Sequence, residues 1–489
     1  MNTGKINIEI KSDSYKFNHW NQYPNDTEAV AAYFESRIGA RFEETVFFGL
    51  QALIIDHLVG AVVTRAGIEK AARLAKAHFS SDKLFNRAGW EYILNEHGGN
   101  LPIRIRAVPE GTAVTVSNVL MTVENLDPKC FWLTNYLETL LSHVWYTSTV
   151  ATLSRETKKI IKKYLVRTAD TIDGLNFMLH DFGFRGASST ETAAFGGMAH
   201  LVNFLGTDTV VAMEAIVTYY GKNRWTDGGI NPNLDDPTAY DGIAYSVPAT
   251  EHSVMTARGP EGEAQIIGEL IANYPNGILS VVVDSYDYKN CVGNIIGKQY
   301  KEAILARNGV FVVRPDSGNP EEVTLDIIEN LGKNFGFTVN GKGYRVLNPK
   351  VRVLWGDGID IRGVDNILGT LLVNGWSAEN MVFGMGGGLL QKVNRDTQRF
   401  AFKCSAQKRN GKWVDIFKNP LDKTKTSKKG RLALVHAPDG ATGKVGWATV
   451  PESDVIGGKG PKDELVTVFE NGKLLKYYTF DEVRKNAAL

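Results

Sequence analysis

The stretch Val310-Phe311-Val312-Val313-Arg314-Pro315-Asp316-Ser317-Gly318 sets four apolar residues directly against a cation, a rigid turn, a carboxylate and a hydroxyl. A continuous β-branched and aromatic run without polar alternation suits a strand buried on both faces of a parallel sheet. The polar cluster marks the C-terminal tip of that strand. Strand tips of this kind converge on one face in α/β folds, and there such folds place their chemistry.

The pattern recurs on either side. Phe177 to Leu179 precedes His180-Asp181-Phe182-Gly183-Phe184-Arg185, and Leu201 to Leu205 precedes Gly206-Thr207-Asp208. Ile278 to Val283 runs into Asp284-Ser285-Tyr286-Asp287, Val351 to Trp355 into Gly356-Asp357-Gly358, and Met381 to Phe383 into Gly384-Met385-Gly386-Gly387-Gly388. The spacings Asp181 to Asp208, Asp284 to Arg314 and Asp357 to Gly384 are 27, 30 and 27 residues, the length of one strand with one crossover helix. An α/β fold containing a β/α barrel over residues 151–390 is therefore predicted, entered by a helix over 151–168 with Ile160, Ile161, Tyr164 and Leu165 on one face.

The flanks have another rhythm. Asn471-Gly472 between Leu465–Phe469 and Leu474–Phe480, and Asn410-Gly411 between Phe402 and Phe417, are hairpin signals. A second, smaller β-rich domain is expected, built jointly from residues 1–150 and 391–489. The Gly-, Asn- and Asp-rich stretch Asn223 to Gly242 reads as a surface loop.

With 489 residues, 43% hydrophobic and 22% charged, the chain can bury more than one core. Lys plus Arg total 55 and Asp plus Glu 54, so there is no overall field to gather nucleic acid or a membrane surface. Cys130, Cys291 and Cys404 match neither a disulfide framework nor a zinc spacing, and no apolar run reaches membrane-spanning length. A soluble, cytoplasmic protein without a directly ligated metal is expected.

Several tips could hold an anion. Arg314 can clasp a phosphate with two parallel N–H groups, while Asp316 can take ribose hydroxyls or a magnesium-bound water. The glycines at 384 and 386–388 would open backbone N–H groups at a helix start, although a tight connection gives the same sequence. His252 alone reads as an ordinary structural histidine. The run Lys418, Lys423, Lys425, Lys428, Lys429 and Arg431 alone reads as a solvated loop, unless a polyphosphate needs flexible cations.

Taken together and in order, Asp13-Ser14-Tyr15-Lys16, His180 to Gly186, Gly206-Thr207-Asp208-Thr209, Glu251-His252-Ser253, Asp284 to Asp287, Arg314 to Pro320, Gly356-Asp357-Gly358 and Gly386 to Lys392 resemble the nicotinamide phosphoribosyltransferase family. The resemblance runs from about residue 10 to the C-terminus. It implies a type II phosphoribosyltransferase-like barrel that joins nicotinamide to phosphoribosyl pyrophosphate in NAD salvage, working as a homodimer with shared sites. On these positions it implies a ring stacked between Phe182 and Tyr15 of the partner, with Asp208 on the carboxamide and Arg314 opposite.

The resemblance further implies that Arg185, His252, Arg314, Asp316, Gly356, Asp357, Gly386 and Gly387 face the sugar and phosphates. Arg395 and Lys403 would come from the neighbouring subunit, with Lys418 and Lys425 as further phosphate cations. His252 matches a histidine phosphorylated by ATP as coupling cosubstrate, with Asp284 as its orienting partner, and Mg2+ would be held through phosphates and water. Phe184, Met385 and the length of the Asn223 to Gly242 loop depart from the vertebrate pattern. Two rivals stay open at this point: nicotinate phosphoribosyltransferase, disfavoured by Asp208, and a noncatalytic nucleotide-binding protein, disfavoured by Arg314, Asp316 and His252 standing together.

Overall fold

The computed structural model describes residues 7–226, 229–230, 238–421, 426–438, 443–455 and 460–489. The chain divides into two compact units, one comprising Leu153–Val217, Asp235–Val393 and Leu489, the other Met1–Thr152, Thr218–Leu234 and Asn394–Ala488.

The first unit is the α/β one. Its strands are β1 (Leu179–Asp181), β2 (Gly206–Thr207), β3 (Leu279–Val282), β4 (Phe311–Arg314), β5 (Val351–Trp355) and β6 (Met381–Met385). They form one parallel sheet in the order β3-β4-β5-β6-β1-β2. Val281, Val313, Val353 and Phe383 are fully buried, as expected of strands covered on both faces. Both edges of the sheet bond to one segment: Thr207 donates its N–H to Tyr245 O at 3.1 Å, and Ser280 donates to Pro248 O at 2.9 Å. Gly206 and Ala249 make the corresponding parallel bridges, to Tyr245 and Ser280 respectively.

The crossover helix Pro320–Phe335 shows how sequence sets an element. Asn319 accepts the N–H of Glu322 as N-cap, Pro320 opens the first turn, Glu321 and Glu322 sit at its positive end, and Gly336 at φ 82° stops it. Val323, Ile327, Ile328, Leu331 and Phe335 form its buried stripe.

Leu201 to Leu205 is not the strand its apolar run predicts. Helix Thr190–His200 precedes it, residues 201–203 turn, and only Gly206–Thr207 pairs. Leu201, Val202 and Phe204 are buried at the helix end, so burial here carries no strand period. A Cβ on Gly206 would come within 2.5 Å of the His180 ring, which restricts that position to glycine. The entry helix, Val144–Thr168, starts before residue 151. In the 223–242 loop, Trp225–Thr226 pairs with Gly229–Ile230; residues 227–228 and 231–237 lie outside the described ones.

The second unit carries a seven-stranded antiparallel sheet that interleaves both ends of the chain. Thr27–Glu35 lies between Ala401–Arg409 and Val119–Asn125, and Ile103–Ala107 pairs with Val466–Glu470. Both Asn-Gly turns are present, with φ 46° and 75° at Asn410 and Gly411 and 50° and 79° at Asn471 and Gly472, the left-handed pair that a two-residue hairpin requires. The strand after Asn471-Gly472 is only Lys473–Leu474, shorter than the apolar run to Phe480 suggests.

Glu110 in this unit is wholly buried and accepts the N–H groups of Gly49 and Gln51, both at 2.7 Å, where helix Leu50–His57 begins. Burial outweighs these bonds and raises its carboxyl from 4.5 to about 7. The folded chain therefore holds this proton more tightly than the unfolded chain does. That contribution to stability is complete below pH 4.5 and is lost as pH rises through about 7, a swing on the order of 3 kcal/mol. Glu110→Gln should remove that slope, seen as denaturant midpoints at pH 8 and pH 4.5 that differ less in the variant than in the parent.

Candidate active site

Phe182 follows β1, and its ring rests on two glycines at neighbouring strand tips. A Cβ on Gly384 would lie 2.0 Å from the ring, and one on Gly356 3.2 Å from it and 3.3 Å from Arg314. The Arg314 guanidinium covers the ring from 5.2 Å. Arg314 at the end of β4 grips Asp316 with two bonds of 3.0 Å, both side chains being largely buried. These four tips thus build a slot with an aromatic face and a fixed cation edge.

Asp208, beyond β2, accepts the Ser246 hydroxyl, while its backbone N–H donates to Asp181 O at 2.9 Å. Phe182, Asp208 and Ser246 border a cavity of about 410 Å³ that continues past Ser280 and Val312 to Ile278. Its walls are mostly apolar, with Asp208, Ser246 and Arg352 among the polar groups that line it.

His252 begins a short helix after the edge-bonding segment. Its Nε2 lies 3.3 Å from Oδ1 of Asp284, a nearly buried carboxylate beyond β3, while half of the imidazole stays exposed. The other oxygen of Asp284 accepts the N–H of Asp316 at 3.0 Å and the Ser317 hydroxyl. One carboxylate thus connects His252 to the Arg314–Asp316 pair. Oδ1 of Asp284 has no aligned hydrogen-bond donor, a buried acceptor suited to an imidazolium or to water on a divalent cation.

Arg185 lies in the turn Phe184–Gly186, and a Cβ on Gly186 would meet Gly387 at 3.5 Å, so this turn abuts the glycine turn after β6. Gly386 starts helix Gly387–Leu390, and Gly387 has open space where a side chain would be. The glycines divide their work in a way the sequence does not announce: Gly384 clears room for a ring, Gly387 leaves a bare approach to backbone. The carbonyl of Asp357 accepts the Trp355 indole N–H at 2.8 Å.

The remaining candidates lie on the antiparallel unit. Tyr15 is 59% exposed, with the Lys16 ammonium 5.3 Å from its ring centre and that ammonium bound to Glu138 at 2.6 Å. Burial, together with the charges of Lys418, Arg37 and Arg395, pushes the Lys403 ammonium below its ordinary value, opposed by Glu138. Lys418, Arg37 and Arg395 therefore all add positive charge at Lys403, and sequence reading missed Arg37 because it follows strand Thr27–Glu35 without any motif around it.

The rest of the basic run is committed elsewhere. Lys428 pairs with Glu35, and Arg431 with Glu124 and Glu452, as structural ion pairs, whereas Lys429 meets Asp415 only at the exposed surface. Lys423 and Lys425 lie outside the described residues.

Among the described residues one set of metal-type ligands converges, His97, Asp127 and Cys130. Hydrogen bonds account for it: Asp127 accepts from Lys129 N at 2.8 Å and from Tyr92 Oη at 2.9 Å, and lies 2.9 Å from His97 Nε2. Burial raises the Cys130 and Cys404 thiols to about 12 and 11 and also raises that of Cys291, so none is poised as a thiolate. No helix among the described residues is long and apolar enough to cross a membrane.

Residues 177–473 match the nicotinate phosphoribosyltransferase (NAPRTase) family, and residues 7–105 match the nicotinamide phosphoribosyltransferase N-terminal domain. Two solved structures share the fold: nicotinate-nucleotide pyrophosphorylase from Pyrococcus furiosus, with a TM-score of 0.58 at 15% identity over 99% of this chain and 96% of that one, and human nicotinic acid phosphoribosyltransferase, with 0.51 at 16% identity over 97% and 92%. Fold and site together define a phosphoribosyltransferase. Nicotinamide phosphoribosyltransferase from Xanthomonas campestris pv. campestris is 46% identical over 98% of both chains, and that from Acinetobacter baylyi is 33% identical over 99% of this chain and 97% of its own. The chain belongs to the nicotinamide phosphoribosyltransferase family.

Proposed function

We propose that the chain transfers the phosphoribosyl group of phosphoribosyl pyrophosphate to nicotinamide, giving nicotinamide mononucleotide and pyrophosphate on a type II phosphoribosyltransferase barrel, the ring of six strands being completed by Tyr245–Thr250. The observation that carries the reading is that Phe182, beneath the Arg314 guanidinium that grips Asp316, lines one cavity together with Asp208. Phe182 supplies a stacking face, and the carboxamide N–H donates to Asp208. The ring nitrogen attacks the anomeric carbon as its bond to pyrophosphate breaks and pyrophosphate leaves with the electron pair. The enzyme's part is to align the two and hold the departing charge, tasks suited to Arg185, Arg314, the Gly386–Gly387 turn and the ribose-facing Asp316, Gly356 and Asp357.

A homodimer supports this geometry, with Tyr15 of a second copy closing the slot and Arg37, Arg395, Lys403 and Lys418 of that copy meeting the phosphates. ATP phosphorylates His252: the γ-phosphoryl group passes from the ADP oxygen to a ring nitrogen, ADP departs, and Asp284 holds the imidazole from its Nε2 side. Asp284 fits a hydrated Mg2+ carried by the phosphates; when bound, the ion would offset the charge on the leaving group. A cytoplasmic setting is supported by three unpaired thiols, two of them buried.

The test is formation of the corresponding mononucleotide from nicotinamide and from nicotinate, each with and without ATP. Equal turnover of the two bases would remove the reading. A nicotinate carboxylate held about 4 Å from Asp208 would be disfavoured by roughly 4 kcal/mol at an effective dielectric near 20, or about half that once screened. Asp208→Asn should therefore lower the preference for nicotinamide by about thirtyfold, measured as competing kcat/KM values.

A further inference from the structure

A buried carboxylate that the proposed reaction does not use sits directly behind the base slot. Asp181, the last residue of β1, is fully enclosed. Its Oδ1 accepts the N–H of Gly183 at 2.7 Å, which fixes the turn immediately after Phe182. Its Oδ2 faces the hydroxyl of Thr207 at 3.5 Å, and its main-chain carbonyl accepts the N–H of Asp208 at 2.9 Å. One residue thus contacts both sides of the slot, the turn bearing the aromatic face and the loop bearing the amide-binding carboxylate.

The surroundings are shaped to admit this side chain. A Cβ on Gly183 would stand 3.0 Å from Oδ1 and 2.6 Å from Leu390, and one on Gly197 would stand 3.0 Å from Oδ2 and 2.7 Å from Ala212. Two glycines on separate elements therefore make room for one buried anion. An apolar residue would fill such a place without loss if shape alone mattered, because burying a carboxylate is costly. Burial raises the Asp181 carboxyl to about 6, with the charge of Asp208 acting in the same direction, so the two carboxylates feel one another.

We propose that Asp181 is the positioning residue of the base slot: its side chain locks the Phe182 turn to the Asp208 loop, and its negative charge adds to that of Asp208 in excluding an anionic ring. The inference rests on the nicotinamide reading above and names a second determinant of it.

Two substitutions separate the parts. Asp181→Asn keeps the size and the acceptor for Gly183 but removes the charge, so the preference for nicotinamide over nicotinate should fall about fivefold while the KM for nicotinamide stays within about twofold. Asp181→Ala also removes the lock, so the KM for nicotinamide should rise about tenfold, the order expected from losing one charge-assisted hydrogen bond. Both bases are offered in competition, which cancels every step they share, and melting temperatures are recorded alongside. If both variants keep the parental KM and preference and lose only kcat or folded yield, Asp181 is structural and the inference is overturned. Should the alanine variant fail to fold, the asparagine variant decides: an unchanged preference overturns the proposal. A parent enzyme that makes no nicotinamide mononucleotide refutes the underlying reading instead, a result distinct from either.

Discussion

Mixing two impaired variants, Tyr15→Ala and Asp316→Ala, is expected to restore activity. Tyr15 stands on the antiparallel unit and Asp316 on the α/β unit, and the proposed dimer builds each site from one of each. In either homodimer both sites carry a defect. Removing Tyr15 strips one face of the stack, a loss of about tenfold or more. Removing Asp316 leaves a largely buried Arg314 without its partner, a loss on the order of a hundredfold or more. Random reassortment makes half of the dimers hybrids, each with one doubly damaged site and one intact site, so about a quarter of parental activity should return. The measurement is nicotinamide mononucleotide formation after co-expression or after unfolding and refolding the mixture. Activity equal to the mean of the two variants would mean that each site lies within one chain.

His252→Ala is expected to abolish the gain that ATP brings while leaving transfer without ATP within about tenfold of the parent. The imidazole engages Asp284, whose Oδ1 lies 3.3 Å from its Nε2. The parent should incorporate acid-labile phosphate from γ-labelled ATP and release ADP in step with product, and the variant should do neither. Asp284→Asn should slow the labelling without preventing it, because the ring would lose its orienting carboxylate yet keep its nucleophilic nitrogen. An ATP response that persists in the alanine variant would reject phosphorylation at this residue.

The parts of this molecule that sequence displays are those governed by short-range rules. β4 is legible because four consecutive apolar residues, Val310–Val313, end on a charged turn, and the Asn-Gly hairpins because few residue pairs accept two left-handed conformations. Phe182, Asp208 and Arg314 could be singled out because each follows such a run, whereas His252 stands out only through the family resemblance. The apolar run Leu201–Leu205 misleads because a helix terminus packed into a core is as hydrophobic as a strand.

What stays hidden depends on residues distant in the chain. Gly384 reads as part of a phosphate turn until Phe182, some two hundred positions earlier, is seen lying on it. Ser246 and Arg37 carry no motif; only their neighbours Asp208 and Lys403 give them meaning. The pairing of Lys428 with Glu35 and of Arg431 with Glu124 likewise turns an apparent solvated loop into sheet reinforcement, because these acidic partners come from strands more than three hundred residues away.

The stretch Tyr245–Thr250 acts as a seam, stitching the first and last strands of the parallel sheet to each other. It also presents the hydroxyl that tethers Asp208, and two residues after its end comes the imidazole of His252. The proposed choice of base and the proposed response to ATP would thus be threaded on a single strip of backbone. Loosening that strip would blunt both together, and a lineage refining one property would inherit changes in the other.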